Sequence, residues 1–216
     1  GLVGIKKILK LGGAQAIAAM GFGTETVKKV DKIFGPGNAY VTEAKVQVSN
    51  MPNGATFDIV AGPSELLVIC DREAELDFVS ADLLSQAEHD SQSQVICLVT
   101  SEDQAFRLNQ QLAFDIQRIS RQDIARQAIK NSKIIVCENL NEAVDISNRY
   151  APEHLIINTK NPLLLKNRIK NAGSVFLGKY ACESIGDYAS GTNHVLPTYG
   201  NAKSSGGVDL LSFMKA

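Results

Sequence analysis

Residues Glu65 to Thr100 read ELLVICDREAELDFVSADLLSQAEHDSQSQVICLVT. Two apolar runs, 65–70 and 95–100, are rich in Val, Ile and Leu, too short for helices, and do not alternate with polar residues. That is the signature of strands covered on both faces. Between them, at 74–89, Leu76, Val79, Leu83 and Ala87 recur at helical spacing and form one stripe. Strand, helix, strand at this pitch implies a right-handed crossover and parallel pairing.

The pattern continues outward. Further apolar runs at 133–137, 154–159 and 174–178 alternate with helical stretches at 102–118, 121–131, 139–150 and 162–172, so the chain is an α/β protein with a mainly parallel sheet flanked by helices. Ser101 is placed to cap the helix at 102, with Glu102 and Asp103 in its first turn. Asn161-Pro162 starts the last helix, and Gly173 follows its end. Before residue 65 the pattern differs. Helices are expected at 3–10 and 13–20, then a turn at MGFGTET (20–26), a short helix, a short strand in DKIFG (31–35), and a helix at 39–49 opened by GPGN (35–38). The Gly-, Pro- and Asn-rich stretch 50–65 reads as a crossing between lobes, with a boundary near Pro63.

Composition sets limits. The chain has 216 residues, 44% hydrophobic and 21% charged, with a net charge of −1. It has no basic run, so a nucleic-acid partner has no electrostatic footprint. No apolar stretch reaches the ~18 residues of a membrane span, and no leader peptide opens the sequence, so the expectation is a cytoplasmic protein. It begins with Gly1, and VDLLSFMKA (208–216) reads as a helix cut mid-course, so the chain is expected to be a piece of a longer protein. Cysteines at 70, 97, 137 and 182 form no CxxC pair, and three close apolar runs. They read as buried free thiols.

Three histidines raise the functional question. On the helix at 74–89, Asp82, Gln86 and His89 share a flank, and Gln86 and His89 are three apart. Together they are half a metal site or a solvated flank with a C-terminal His. In APEHLI (151–156), Pro152 ends the preceding helix, and Glu153 and His154 start a strand. They are two adjacent bases or an exposed Glu beside a half-buried His. Sites in parallel sheets gather at carboxyl ends, which counts against this pair. The glycine-rich stretch ESIGDYASGTNHVLPTYG (183–200) shows neither helical nor strand periodicity and follows the last strand. It carries Asp187, a hard oxygen donor, and His194. GFGTET (21–26) fails as a dinucleotide fingerprint. GPGNAY (35–40) precedes a helix with Asn38 as N-cap and is either a polar-ligand turn or a structural one.

Taken together, KIFGPGNAYVTEAK (32–45), AGPSELLVI (61–69), DLLSQAEHD (82–90), YAPEHLI (150–156) and GDYASGTNHVLPTYG (186–200) resemble the histidinol dehydrogenase family, in order and over nearly the whole chain. The resemblance implies a zinc- and NAD-dependent homodimer of histidine biosynthesis that oxidises L-histidinol to L-histidinal and then to L-histidine. It implies Gln86, His89 and Asp187 as zinc ligands and Glu153 and His154 as the acid–base pair. Ser64 and His194 become substrate contacts, alongside the zinc ligands and His154, and Gln15 and Asn38 become NAD contacts. Asp82 matches no ligand and is left to capping or a supporting role. The resemblance further implies two Rossmann-like lobes. Residues 1–63 are the latter part of the first. Residues 64–208 are the second half of the other and carry the metal and catalytic residues, and 209–216 start a C-terminal segment. A fourth zinc ligand, a His of the partner subunit, a substrate-binding Glu and an NAD-binding Tyr would lie outside these residues. From the residues alone, a zinc hydrolase with Glu153 as water-activating base and a non-catalytic α/β module remain open.

Overall fold

The computed structural model describes residues 2–215. They fall into two compact units, one running to Asp58 and the other starting at Ile59, four residues before Pro63.

The first unit contains α1 (Gly13–Phe22), β1 (Lys32–Ile33), α2 (Ala39–Asn50) and β2 (Thr56–Phe57), with β1 and β2 paired in parallel. Ile17, Ile33, Val48 and Ala55 form its core. Asn38 caps α2 by accepting a bond from the Val41 N–H at 3.1 Å, as its side-chain chemistry suits it to do. A buried ion pair, Lys45 Nζ to Asp58 Oδ1 at 2.8 Å, ties the helix to the strand end. Lys45 also bonds the Gly35 carbonyl, and Asp58 Oδ2 accepts from the Gly35 N–H, so the first residue of the GPGN turn is held through both its backbone groups. The helix expected at 3–10 does not form, and neither does the short one expected between the MGFGTET turn and β1. Leu2, Val3, Ile5, Ile8 and Leu9 are exposed, and a single short helix with no face to pack is too costly to nucleate.

The second unit is built on five parallel strands: β3 (Glu65–Cys70), β4 (Gln94–Val99), β5 (Lys133–Val136), β6 (His154–Asn158) and β7 (Ser174–Leu177), in the order β5-β4-β3-β6-β7. Every residue of β3 and β6 is buried, whereas the edge strands β5 and β7 are partly open. Alternation divides the sheet. Leu66, Val68, Val95, Cys97 and Ile156 pack under α3 (Leu76–Ala87), α4 (Glu102–Asp115) and α5 (Gln122–Lys130). Leu67, Ile69, Ile96, Leu98, Leu155 and Ile157 pack under α6 (Leu140–Tyr150) and Leu165 of α7 (Leu163–Lys166). The chain runs from β3 outward to β5 on one face and returns through α6 on the other.

Several local expectations are corrected. Ser101 stands at the N-cap of α4, but its side chain makes no capping bond. The helix expected over 162–172 is the single turn α7, after which Asn148 of α6 holds the chain through the Lys170 N–H and Asn171 side chain. One helical turn, α8 (Ile185–Tyr188), interrupts the loop read as irregular. Among the described residues, the stretch from 208 onward holds a 3-10 turn, Leu211–Phe213, and no longer helix. The four cysteines are free, and three are buried. Among the described residues, no helix is long and apolar enough to cross a membrane.

Leu67 is fully buried in the strand that both faces of the sheet share. Leu67→Ala is expected to cost about 2–5 kcal/mol, read as a lowered denaturant midpoint in equilibrium unfolding.

Candidate active site

The site lies at the amino edge of the sheet, not the carboxyl edge, and the topology supplies the reason. Helix α3 starts beyond the carboxyl end of β3 and runs back antiparallel to it, so its last turn, with Gln86 and the following His89, returns to where β3 and β6 begin. The segment after β7 makes the same return. Lys179 pairs with Glu75 near the start of α3 at 2.6 Å. Further along, Glu183 reaches His154, and the Tyr199 N–H donates to Glu65 Oε1 at 2.9 Å. A groove of about 580 Å3 does open at the carboxyl ends, lined by Asp71, Thr100, Glu138 and Asn139 among others, but Glu153, His154 and Glu183 lie at the opposite edge.

Glu65 is the pivot. Its N–H donates to Glu153 Oε2 at 2.9 Å, and its carbonyl oxygen lies 3.3 Å from His154 Nδ1. His154 is paired in register with Leu66, so its ring projects to the α3 face, 6.2 Å from the Phe176 ring. The turn into β6 is tight. Ala151, at the end of α6, takes a left-handed conformation (φ 58, ψ 65), a position that usually takes glycine and costs another residue about 1–2 kcal/mol. Gly173 keeps the other side clear, since a Cβ there would lie 2.6 Å from the Glu153 carbonyl oxygen.

Burial dominates the electrostatics. Desolvation pushes the Glu153 carboxyl up to about 8, against the opposing bonds from the Glu65 N–H and Ser64, with Glu65 and Glu183 adding like-charge repulsion. Desolvation lowers the His154 imidazole to about 4, opposed by the Glu65 carbonyl bond and the Asp187 charge. At neutral pH His154 is therefore neutral. With Nδ1–H given to the Glu65 carbonyl, Nε2 carries the free lone pair.

The other expected residues are placed as follows. Ser64 is half-buried immediately before β3, and Gln86 is almost wholly buried. The Gln86 amide oxygen has no hydrogen-bond partner. His89, Asp187 and His194 are exposed, and the charges of all three are felt at the His154 ring. The flank shared by Asp82 and Gln86 is not solvated. Both residues are buried, and Asp82 sits mid-helix, not at a cap, its carboxyl raised by desolvation to about 7. Gln15 lies in α1 and Asn38 caps α2, both in the first unit. Among the described residues no three His, Cys, Asp or Glu side chains are grouped as a metal site; the expected ligand set has only two of these types, with Gln86 as the third donor.

Two participants escape the sequence patterns. Glu65 heads a wholly buried run, and an acid at that position was the available signal. Glu183 is 3% exposed, with Oε1 3.8 Å from His154 Nε2. Its sequence neighbourhood offers no periodicity that would have marked it.

A parallel α/β unit that buries a neutral imidazole between carboxyl groups at one sheet edge has the apparatus of an acid–base enzyme. The comparisons make this specific. The family described as Histidinol dehydrogenase matches residues 1–216, and the chain belongs to that family. The histidinol dehydrogenase of Mannheimia succiniciproducens is 55% identical over 214 residues, 99% of this chain and 50% of the relative. That of Aliivibrio fischeri is 56% identical over 211 residues, 98% and 48%. The crystal structure of histidinol dehydrogenase from Elizabethkingia anophelis superposes with a TM-score of 0.94 at 53% identity, covering 99% of this chain and 49% of that one. The chain thus spans about half the length of these relatives. They are dehydrogenases, and the hydrolase alternative finds no support among them.

Raised carboxyls leave a signature in stability. The folded state keeps a proton on Glu153 that the unfolded chain, with its ordinary carboxyl near 4.5, gives up. That contribution is full below about pH 4.5 and is lost as pH rises toward 8. In metal-free protein, thermal unfolding from pH 5 to 8.5 is expected to show wild-type Tm falling relative to Glu153→Gln; a constant difference across that range would contradict the assignment.

Proposed function

We propose that this chain supplies the acid–base and metal-binding half of a histidinol dehydrogenase, which oxidises L-histidinol through L-histidinal to L-histidine and reduces two NAD. The reading is of a cytoplasmic homodimer whose site is completed by residues of the partner subunit. Family membership supports the substrate. The observation that carries the mechanism is the neutral His154 ring, oriented by the Glu65 carbonyl, beside Glu153.

Alcohol oxidation requires removal of the hydroxyl proton as hydride leaves carbon for NAD. His154 Nε2 accepts that proton. The aldehyde is hydrated before the second hydride transfer, and Glu153 takes the proton from the attacking water. Glu153 is a competent base only when ionised, so this step gains as pH rises through about 8. Ser64 and His194 contact the substrate in this reading, and Gln15 and Asn38 contact NAD.

Gln86, His89 and Asp187 are the residues that would hold zinc. The fit rests on the donor chemistry, one imidazole and two oxygens, and on the buried Gln86 oxygen that lacks any hydrogen-bond donor, a lone pair that a bound cation would satisfy. When bound, zinc would grip the substrate's imidazole and amine and so orient the carbinol toward the base.

The test uses the full-length enzyme. NADH absorbance should rise with L-histidinol. His154→Asn should slow both half-reactions by about 10²-fold or more. Glu153→Gln should spare alcohol oxidation and block aldehyde oxidation; equal loss in both would break this division of roles. His89→Asn should lower zinc content on metal analysis of the purified protein.

A further inference from the structure

The reacting edge of His154 faces a group with no role so far. Glu183 stands in the segment that returns from β7, buried to 3% exposure, with Oε1 3.8 Å from Nε2. Its other oxygen, Oε2, has no hydrogen-bond partner, so no bond on that oxygen draws the carboxyl away from the ring. The distance is beyond a hydrogen bond to a neutral ring and within ion-pair reach of a protonated one.

We propose that Glu183 is a positioning residue for His154: its carboxylate balances the imidazolium that forms when the ring takes the hydroxyl proton, and holds the Nε2–H edge of that imidazolium in line. This rests on the histidinol reading above and extends it. The balance is simple. The O–H proton passes to Nε2, the C–H hydride with its electron pair passes to NAD, and the positive charge left on the ring meets a carboxylate already in place. A ring buried beside Phe176 has little water to do this instead.

Charged groups surround the pair on several elements. Glu65 and Glu153 lie at the starts of β3 and β6, Asp82 on α3 with His89 following it, Asp187 on α8, and His194 in the returning segment. Burial raises Glu183 to about 7, with Asp187 and Asp82 adding to the rise, so its carboxylate form is accessible at neutral and alkaline pH.

The test compares Glu183→Gln and Glu183→Asp in the full-length enzyme, with L-histidinol as substrate. Glu183→Gln is expected to lower kcat roughly tenfold to a hundredfold, with the KM for L-histidinol moving less than about threefold. The acid limb of the kcat profile should shift to lower pH, because Glu183→Gln removes the carboxyl whose ionisation near pH 7 supplies the balancing charge. Glu183→Asp should restore part of the rate. An unchanged kcat, or a fall with the acid limb unmoved and no recovery in Glu183→Asp, would overturn the proposal. Should wild type make no NADH from L-histidinol, the histidinol reading fails instead. The positioning role is then decided by NMR titration of the His154 ring, whose resonances must follow an ionisation near pH 7 that Glu183→Gln removes; a ring blind to that ionisation, or one that still reports it in the variant, refutes the role.

Discussion

Both halves of one peptide backbone position organise this site. The Glu65 N–H holds Glu153, and the Glu65 carbonyl faces His154. Neither contact depends on a flexible side chain for its anchor, because Glu65 is the first residue of the central strand β3, whose neighbours β4 and β6 are parallel to it. The buried sheet therefore transmits its rigidity directly to Glu153 and His154. A strand core of Leu, Val and Ile side chains sets the position of an imidazole without touching its chemistry.

That arrangement requires polar groups to sit where water is scarce. Glu153, His154 and Glu183 are all more than nine-tenths buried, and each is shifted toward its neutral form by desolvation. Such burial is costly for stability unless the groups are neutral or paired. The same cost is useful to an enzyme, since it keeps a base unprotonated at working pH and an acid available to ionise. The left-handed Ala151 just before the pair belongs to the same account, being a local strain held by the packed end of α6.

The edge of the sheet at which the site lies follows from two returns of the chain. Helix α3 and the segment after β7 both leave the carboxyl side and come back, bringing Gln86, His89, Glu183, Asp187 and His194 toward the start of β6. The usual rule for open parallel sheets concerns the loops that follow strands directly. Here the β7 loop is long enough to cross the sheet's face, and the helix contributes its C-terminal end.

Sequence by itself determined the alternation of strands and helices from Glu65 onward, the Asn38 cap and the placement of Glu153-His154 at a strand start. Those are local properties, set by side-chain periodicity and backbone preference over a few residues. It also carried five ordered motifs, enough to mark the family. Tertiary structure decided what local pattern does not encode. It showed that residues 3–10 find no partner face, that the Asp82–Gln86 flank is buried, and that Glu65 and Glu183, 118 positions apart in the chain, flank the same ring. Periodicity reports which face of an element is apolar. Which buried polar groups meet across strands depends on register and on where long loops return, and only the folded chain holds that information.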